Sequence, residues 1–334
     1  MRRALCLLLP LLLLALPALA EPLFGEELCL LLPTLTASQR ALYDALYDAL
    51  LAGQEEIVFS SPVAYDDVEP VLDLLALDTP ELCAMGQTWS VSYVRTHPEE
   101  ATGLTTRRIL PSGAEEELLA AARALTEDLP ADPFDRLDAL HERLCAQIVY
   151  DVSGTSPHSA WGALVEGRAV CEGYAKAFTL LCRLAGIPCS VAEGEALAED
   201  GVWGSHSWCV AVPQGAAVAV DPTWDDQDGV LLTDWLGLTD AQLADTHHRR
   251  STAPGLPACD TEGLDWHSRH GLAFASADEA WSRYAAMASG EVLRLRFPDS
   301  DALEAFLARL REHPVCACSF YAGTGQPCVT LIGE

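Results

Sequence analysis

Residues Gly167–Cys189 read GRAVCEGYAKAFTLLCRLAGIPC, and the position of Cys171 within them decides both fold and chemistry. Tyr174, Ala177, Phe178, Leu181, Leu184 and Ala185 recur at the spacing of one apolar helical stripe. Gly186 is suited to end that helix, and Pro188 prevents its continuation. Cys171 therefore falls in the first turn, where unpaired backbone N–H groups and the positive end of the helix dipole favour an anion. A thiol there is biased toward the thiolate, its nucleophilic form. Cys182 lies three turns on, roughly 16 Å along the axis. That is too far for a disulfide to Cys171, and it places Cys182 within the core stripe.

A nucleophilic thiolate needs a base, and the base needs an orienting group. Downstream, GSHSWCVAV (204–212) predicts a strand with His206, Trp208, Val210 and Val212 on one face. PQG then turns the chain, and AAVAVDPTWDD (216–226) returns. A turn centred between Pro213 and Gln214 sets His206 opposite Asp221. Opposed side chains share a face with Cβ atoms about 5 Å apart. An Asp221 carboxylate can then hold the His206 imidazole, and a Cys171 helix packed on this sheet completes a Cys–His–Asp set.

These three segments, in this order and spacing, resemble the catalytic core of the transglutaminase-like family on the papain-like cysteine-peptidase fold. IVYDVSG (148–154) and SAWGALVEG (159–167) resemble the lead-in of bacterial members, and the resemblance covers roughly residues 140–226. It implies an α+β core, with an N-terminal Cys helix packed on an antiparallel sheet that carries His and Asp. By motif, Cys171 is the nucleophile, His206 the general base and Asp221 its orienting residue. Trp161 stands where the family pattern leads one to expect tyrosine. The motif leaves the oxyanion donors open; the Cys171 backbone N–H is one candidate.

Other cysteines and histidines read differently. Cys182, Cys189 and Cys209 suit core packing or disulfides. A zinc site built on Cys171, Cys182, Cys189 and His206 lacks the short Cys–Cys spacing of a zinc knuckle, so no metal and no cofactor is expected. Cys316 and Cys318 share a strand face, with a disulfide to Cys328 or a redox role both open. His247 and His248 read as a solvated loop pair. Trp208 and Trp224 flank the proposed site as packing residues, with a substrate platform as a second use.

The N-terminal MRRALCLLLPLLLLALPALA has two arginines, a leucine-rich run and a small-residue end, the layout of a secretory leader cleaved after Ala20. The alternative is an uncleaved anchor. Past the leader the chain keeps 11 of its 12 cysteines, and an odd count in an exported protein suggests disulfide pairs plus one free thiol. With 49 acidic against 20 basic residues the net charge is −29, and loss of Arg2 and Arg3 makes it more negative. Such a surface argues against nucleic acid and anionic lipid as partners and attracts amine-rich peptides. Lys176 is the single lysine.

The chain divides into a leader (1–20), an N-terminal α/β region (21–110), a catalytic domain (111–250) and a small C-terminal α/β region (251–334). Helices are expected at TASQRALYDALYDALLAG, VEPVLDLLALDTPEL and DPFDRLDALHERLCAQIVYD. Another follows Ser112, with Glu115 completing a capping box. Strands are expected at EEIVFSS and QTWSVSYVR, then a strand–helix–strand–strand series from EVLRLRF to CVTLIG. The stretch after Asp226 reads as loop and short helix. Three functions fit: a secreted cysteine protease or amidase, which is favoured; a glutamine acyl transferase using amines; and a non-catalytic surface or binding protein that retains the fold.

Overall fold

The computed structural model describes residues 23–86, 88–198, 201–227, 229–250, 255–323 and 325–333; the expected leader lies outside them. At its centre the helix Cys171–Leu184 ends as its spacing predicts. Gly186 takes φ +75°, and the Ile187 N–H donates to the Cys182 carbonyl at 2.8 Å. The helix is nevertheless not half-exposed: every residue from Gly173 to Arg183 is buried. One side lies on a sheet and the other is covered by the N-terminal region. Leu46, Leu50, Val71, Leu104 and Leu118 share one continuous apolar cluster with Tyr174, Phe178 and Leu181.

The central sheet has five antiparallel strands in the order Leu236–Leu238, Val218–Val220, Trp203–Ala211, Cys189–Leu197 and His247–Arg249. Side-chain alternation sorts its two faces. Cys209 and Ala211 join the cluster that includes the Cys171 helix, whereas Trp208 and Val210 join a second cluster with Trp235, Leu238, Leu243 and Cys259. The outer strands come from the stretch expected to be loop. They are three residues each and too short to show a period.

The hairpin register also differs from expectation. Cys209 pairs with Val220 and Ala211 with Val218. The connection is a 3-10 turn over Pro213–Gly215, with Gln214 at φ +51°, and the returning strand starts only at Val218. The pairing is thus two residues from the expected one. A two-residue slip preserves the face on which each side chain lies, so Asp221 stays on the face of His206, diagonal to it rather than opposite.

The N-terminal region carries helices Ala37–Leu51 and Tyr65–Asp78 and a three-stranded antiparallel sheet. Thr36 and Gln39 form a capping box at the first helix. The sheet's middle strand, His97–Thr105, was not signalled by sequence, because its Pro98, Glu99, Glu100 and Gly103 are poor strand formers. The helix Ala114–Leu125 starts from Gly113 in a left-handed conformation, not from Ser112. Glu115 instead accepts a 2.5 Å hydrogen bond from Arg108.

The C-terminal sheet, in the order Val292–Arg296, Cys328–Gly333, Cys318–Tyr321, packs its own apolar cluster with the helix Ser300–Glu312. Cys318 pairs across from Gly333, whereas Cys328 pairs with Arg296 at the other end of the same strand. That separation rules out a bridge between Cys318 and Cys328. None of the eleven described cysteines is in a disulfide, and most are buried. The odd count therefore reflects small apolar fillers rather than a disulfide framework. Among the described residues, no helix is long and apolar enough to cross a membrane.

Candidate active site

Cys171 is the first residue of its helix, and the preceding Val170 contributes no side-chain cap. The N–H groups of that first turn have no intrahelical acceptor, and the positive end of the helix dipole lies at this residue. The approach is tight. A Cβ on Gly173 would lie 2.4 Å from the Pro157 carbonyl oxygen and 2.8 Å from Ala169 Cβ, so only glycine lets the preceding chain pack here.

The structure brings the three sequence-derived residues together. His206 Nε2–H donates to Asp221 Oδ2 at 2.6 Å, and the Cys171 side chain lies close enough to the same ring to raise its pKa. With Nε2 committed to the carboxylate, Nδ1 is the ring nitrogen left for the thiol. Cys171 is partly accessible, whereas His206 and Asp221 are buried. The diagonal placement of Asp221 thus serves as well as the opposed one.

Asp221 is saturated. Its Oδ1 accepts from the N–H groups of Thr223 (3.0 Å) and Trp224 (3.4 Å), capping the short helix Pro222–Asp225. Its Oδ2 takes a second imidazole, His247 Nε2, at 3.2 Å. His247 Nδ1 is in turn 3.0 Å from the Thr246 hydroxyl. The solvated-pair reading therefore holds for His248, which is exposed and stacks on Trp203, and fails for its neighbour. His247 is buried at the sheet edge among Trp208, Trp224 and Trp235. Strand alternation separates the two side chains, but no period was visible over three residues.

Trp208 is fully buried, and Trp224 is half-buried with its ring 5.5 Å from that of His206. Trp161 packs at the edge of the main core and donates to Glu117 at 3.3 Å. A cavity of about 320 Å³ lies between the N-terminal region and the 155–160 loop, with Lys176 in its wall. Cys171, His206 and Asp221 do not line it. The chemistry is arranged at the helix start and not around that hollow.

The electrostatics follow from burial opposed by pairing. Burial lowers the His206 pKa, but the charge and hydrogen bond of Asp221, with those of Cys171, outweigh it and raise it to about 10. Burial pushes Asp221 up, yet His206 and His247 hold it well below the usual carboxylate range. The raised value of His206 contributes stability that is whole below its ordinary 6.5 and is lost as pH rises through about 10. Asp221, being depressed, contributes stability present above its ordinary 3.8 and lost as pH falls toward its folded value. The His206 imidazole should therefore stay protonated at neutral pH. An alkaline loss of kcat/KM near pH 10 is expected, and Asp221→Asn should move that limb to lower pH. An unmoved limb would show that another group controls it.

A thiol, an imidazole and a buried carboxylate thus stand together at a helix start beside an antiparallel sheet. Residues 121–222 match the model of the transglutaminase-like superfamily. The chain carries a transglutaminase-like superfamily domain, and members of that superfamily are usually cysteine-nucleophile enzymes. Similar solved structures include a TGase (11% identity, 50% of each chain, TM-score 0.29). Others are a presumed cysteine protease from Cytophaga hutchinsonii (13% identity, 51% of this chain and 69% of that one, TM-score 0.30) and the periplasmic domain of TgpA from Pseudomonas aeruginosa (26% identity, 34% and 46%, TM-score 0.26). The chain spans about half the length of the TGase and slightly less of the TgpA domain. No curated protein matches the sequence.

Proposed function

We propose that this protein is an exported thiol hydrolase that cleaves peptide or amide bonds through Cys171, His206 and Asp221. The supporting observation is His206, which bonds to Asp221 at 2.6 Å and has the Cys171 side chain close enough to act on its ring. The Cys171 thiolate attacks the scissile carbonyl carbon, and the developing oxyanion is met by the Cys171 N–H. The His206 imidazolium gives its proton to the leaving amine, and a thioester remains. Neutral His206 then takes a proton from water, the hydroxide adds to the thioester, and the acid leaves as the thiolate reforms. Asp221 holds the ring and its charge throughout without exchanging protons.

The acidic surface supports cationic, amine-rich peptides as the substrate class. The leader-like residues 1–20 support export. Mass spectrometry of a glutamine-containing basic peptide, incubated with and without a primary amine, tests the reading. Cleavage or deamidation that the amine leaves unchanged is expected. Amine incorporation would make the protein an acyl transferase, and an intact peptide under all conditions, across a peptide library, would favour a binding role.

A further inference from the structure

The C-terminal unit meets the catalytic core through a second cluster of chemistry-bearing side chains. Asp234 leads into the strand Leu236–Leu238, His267 belongs to the short helix Trp266–Arg269, and Cys328 opens the middle strand of the C-terminal sheet. One ligand-type atom from each lies within 4.8 Å of the others, and all three residues are buried. The exposures are 2% for Asp234 and 0% for His267 and Cys328. Neither ring nitrogen of His267 has a hydrogen-bond partner, and Asp234 Oδ1 has none. Orphaned polar atoms at such burial are costly and call for a physical reason.

The spacing suggests one. His267 Nε2 and Asp234 Oδ1 are 3.7 Å apart, too far for a hydrogen bond and suited to two ligands of one ion. His267 Nδ1 faces Asp265 Oδ1 at 3.9 Å, the side on which a carboxylate orients a ligating imidazole. We propose that Asp234, His267 and Cys328 bind a zinc-type divalent cation that fastens the C-terminal sheet to the catalytic core. A nitrogen, an oxygen and a sulfur suit a borderline-soft ion and leave a fourth tetrahedral position open. Binding exchanges the Cys328 thiol proton for the metal and releases it to solvent. The carboxylate and thiolate together balance the ion's charge.

Arg294 and Arg296 stand nearby and oppose a bare cation. Arg296, however, bonds Gln326 Oε1 at 2.6 Å and points Nη1 at Cys328 Sγ from 3.8 Å, so its charge is directed at the sulfur and the amide. The competing arrangement is metal-free, with Cys328 hydrogen-bonded to Asp234. It leaves both nitrogens of His267 unexplained. The ligands lie far apart in sequence and share no motif spacing, so sequence reading had no means of grouping them.

The test uses the full chain, stripped with a chelator and titrated with cobalt(II), with Cys171→Ala and Cys328→Ser variants in parallel. His206, Asp221 and His247 form a rival cluster beside Cys171, so the Cys171 arm is essential. A thiolate-to-cobalt charge-transfer band saturating at about one ion per chain is expected in the wild type and in Cys171→Ala. It should be absent in Cys328→Ser, and zinc should displace the cobalt and raise Tm by several degrees. A wild type with no such band overturns the proposal, as does a band lost in Cys171→Ala or kept in Cys328→Ser. Should Cys328→Ser not fold, the first two arms still decide.

Discussion

Cys171→Ala is expected to abolish turnover while melting within a degree or two of the wild type. The thiol is the proposed nucleophile, and the residue is partly exposed, so little packing is lost. His206→Ala should lose nearly as much, about 10⁴-fold, and Asp221→Asn the least, about 10²-fold, because general acid–base steps contribute on that scale. Asparagine keeps an Oδ1 acceptor for the Thr223 and Trp224 N–H groups, so the short helix cap survives. This order, measured as kcat/KM beside melting curves, separates a catalytic role from a structural one. If Asp221→Asn matched Cys171→Ala in activity and melted far lower, Asp221 would be chiefly a structural bracket for His206 and His247.

Asp78→Ala should be the most damaging stability change remote from the chemistry. Arg183, on the last turn of the Cys171 helix, and Asp78, at the end of an N-terminal helix, are paired at 2.7 Å with side chains 1% exposed. Arg183 also donates to the carbonyls of Asp78 and Cys189 and to Ser190. Removing the carboxylate leaves the buried guanidinium without a carboxylate in salt-bridge contact, Glu81 acting on it only from farther off, and breaking such a pair costs about 3–5 kcal/mol. Urea unfolding should show a lower midpoint by that amount, with kcat little changed at temperatures where the variant is folded. A loss below about 1 kcal/mol would mean that the carbonyls alone satisfy the arginine.

That pair shows what a linear reading omits. The Cys171 helix, its Gly186 stop and the His206 and Asp221 motifs were legible because each is a local signal: a period, a cap, a turn between two apolar runs. Burial of the helix on every side was not, because the second covering layer comes from residues distant in sequence, from Leu46 to Leu118. The hairpin was placed two residues out, since Gln214 adopts a positive φ that nothing in its residue type announces. The side-chain parity survived that error, and with it the His206–Asp221 contact. His247 was missed for the same reason as the edge strand that carries it: three residues hold too little pattern to show which faces the core. The cysteine count misled because parity says nothing about distance, and Cys182, Cys189 and Cys209 fill the apolar cluster beneath the Cys171 helix as reduced thiols.

The central claim is that Cys171 is an activated nucleophile, and alkylation tests it most directly. Cys316 and Cys318 are the only other described cysteines with comparable exposure, and neither begins a helix nor faces His206. Brief treatment of the native protein with iodoacetamide near pH 7, followed by peptide mapping, should label Cys171 well before Cys316 or Cys318. In His206→Ala that advantage should largely disappear. Equal labelling of the three cysteines in the wild type, or a Cys171 rate unaffected by loss of His206, would contradict the account.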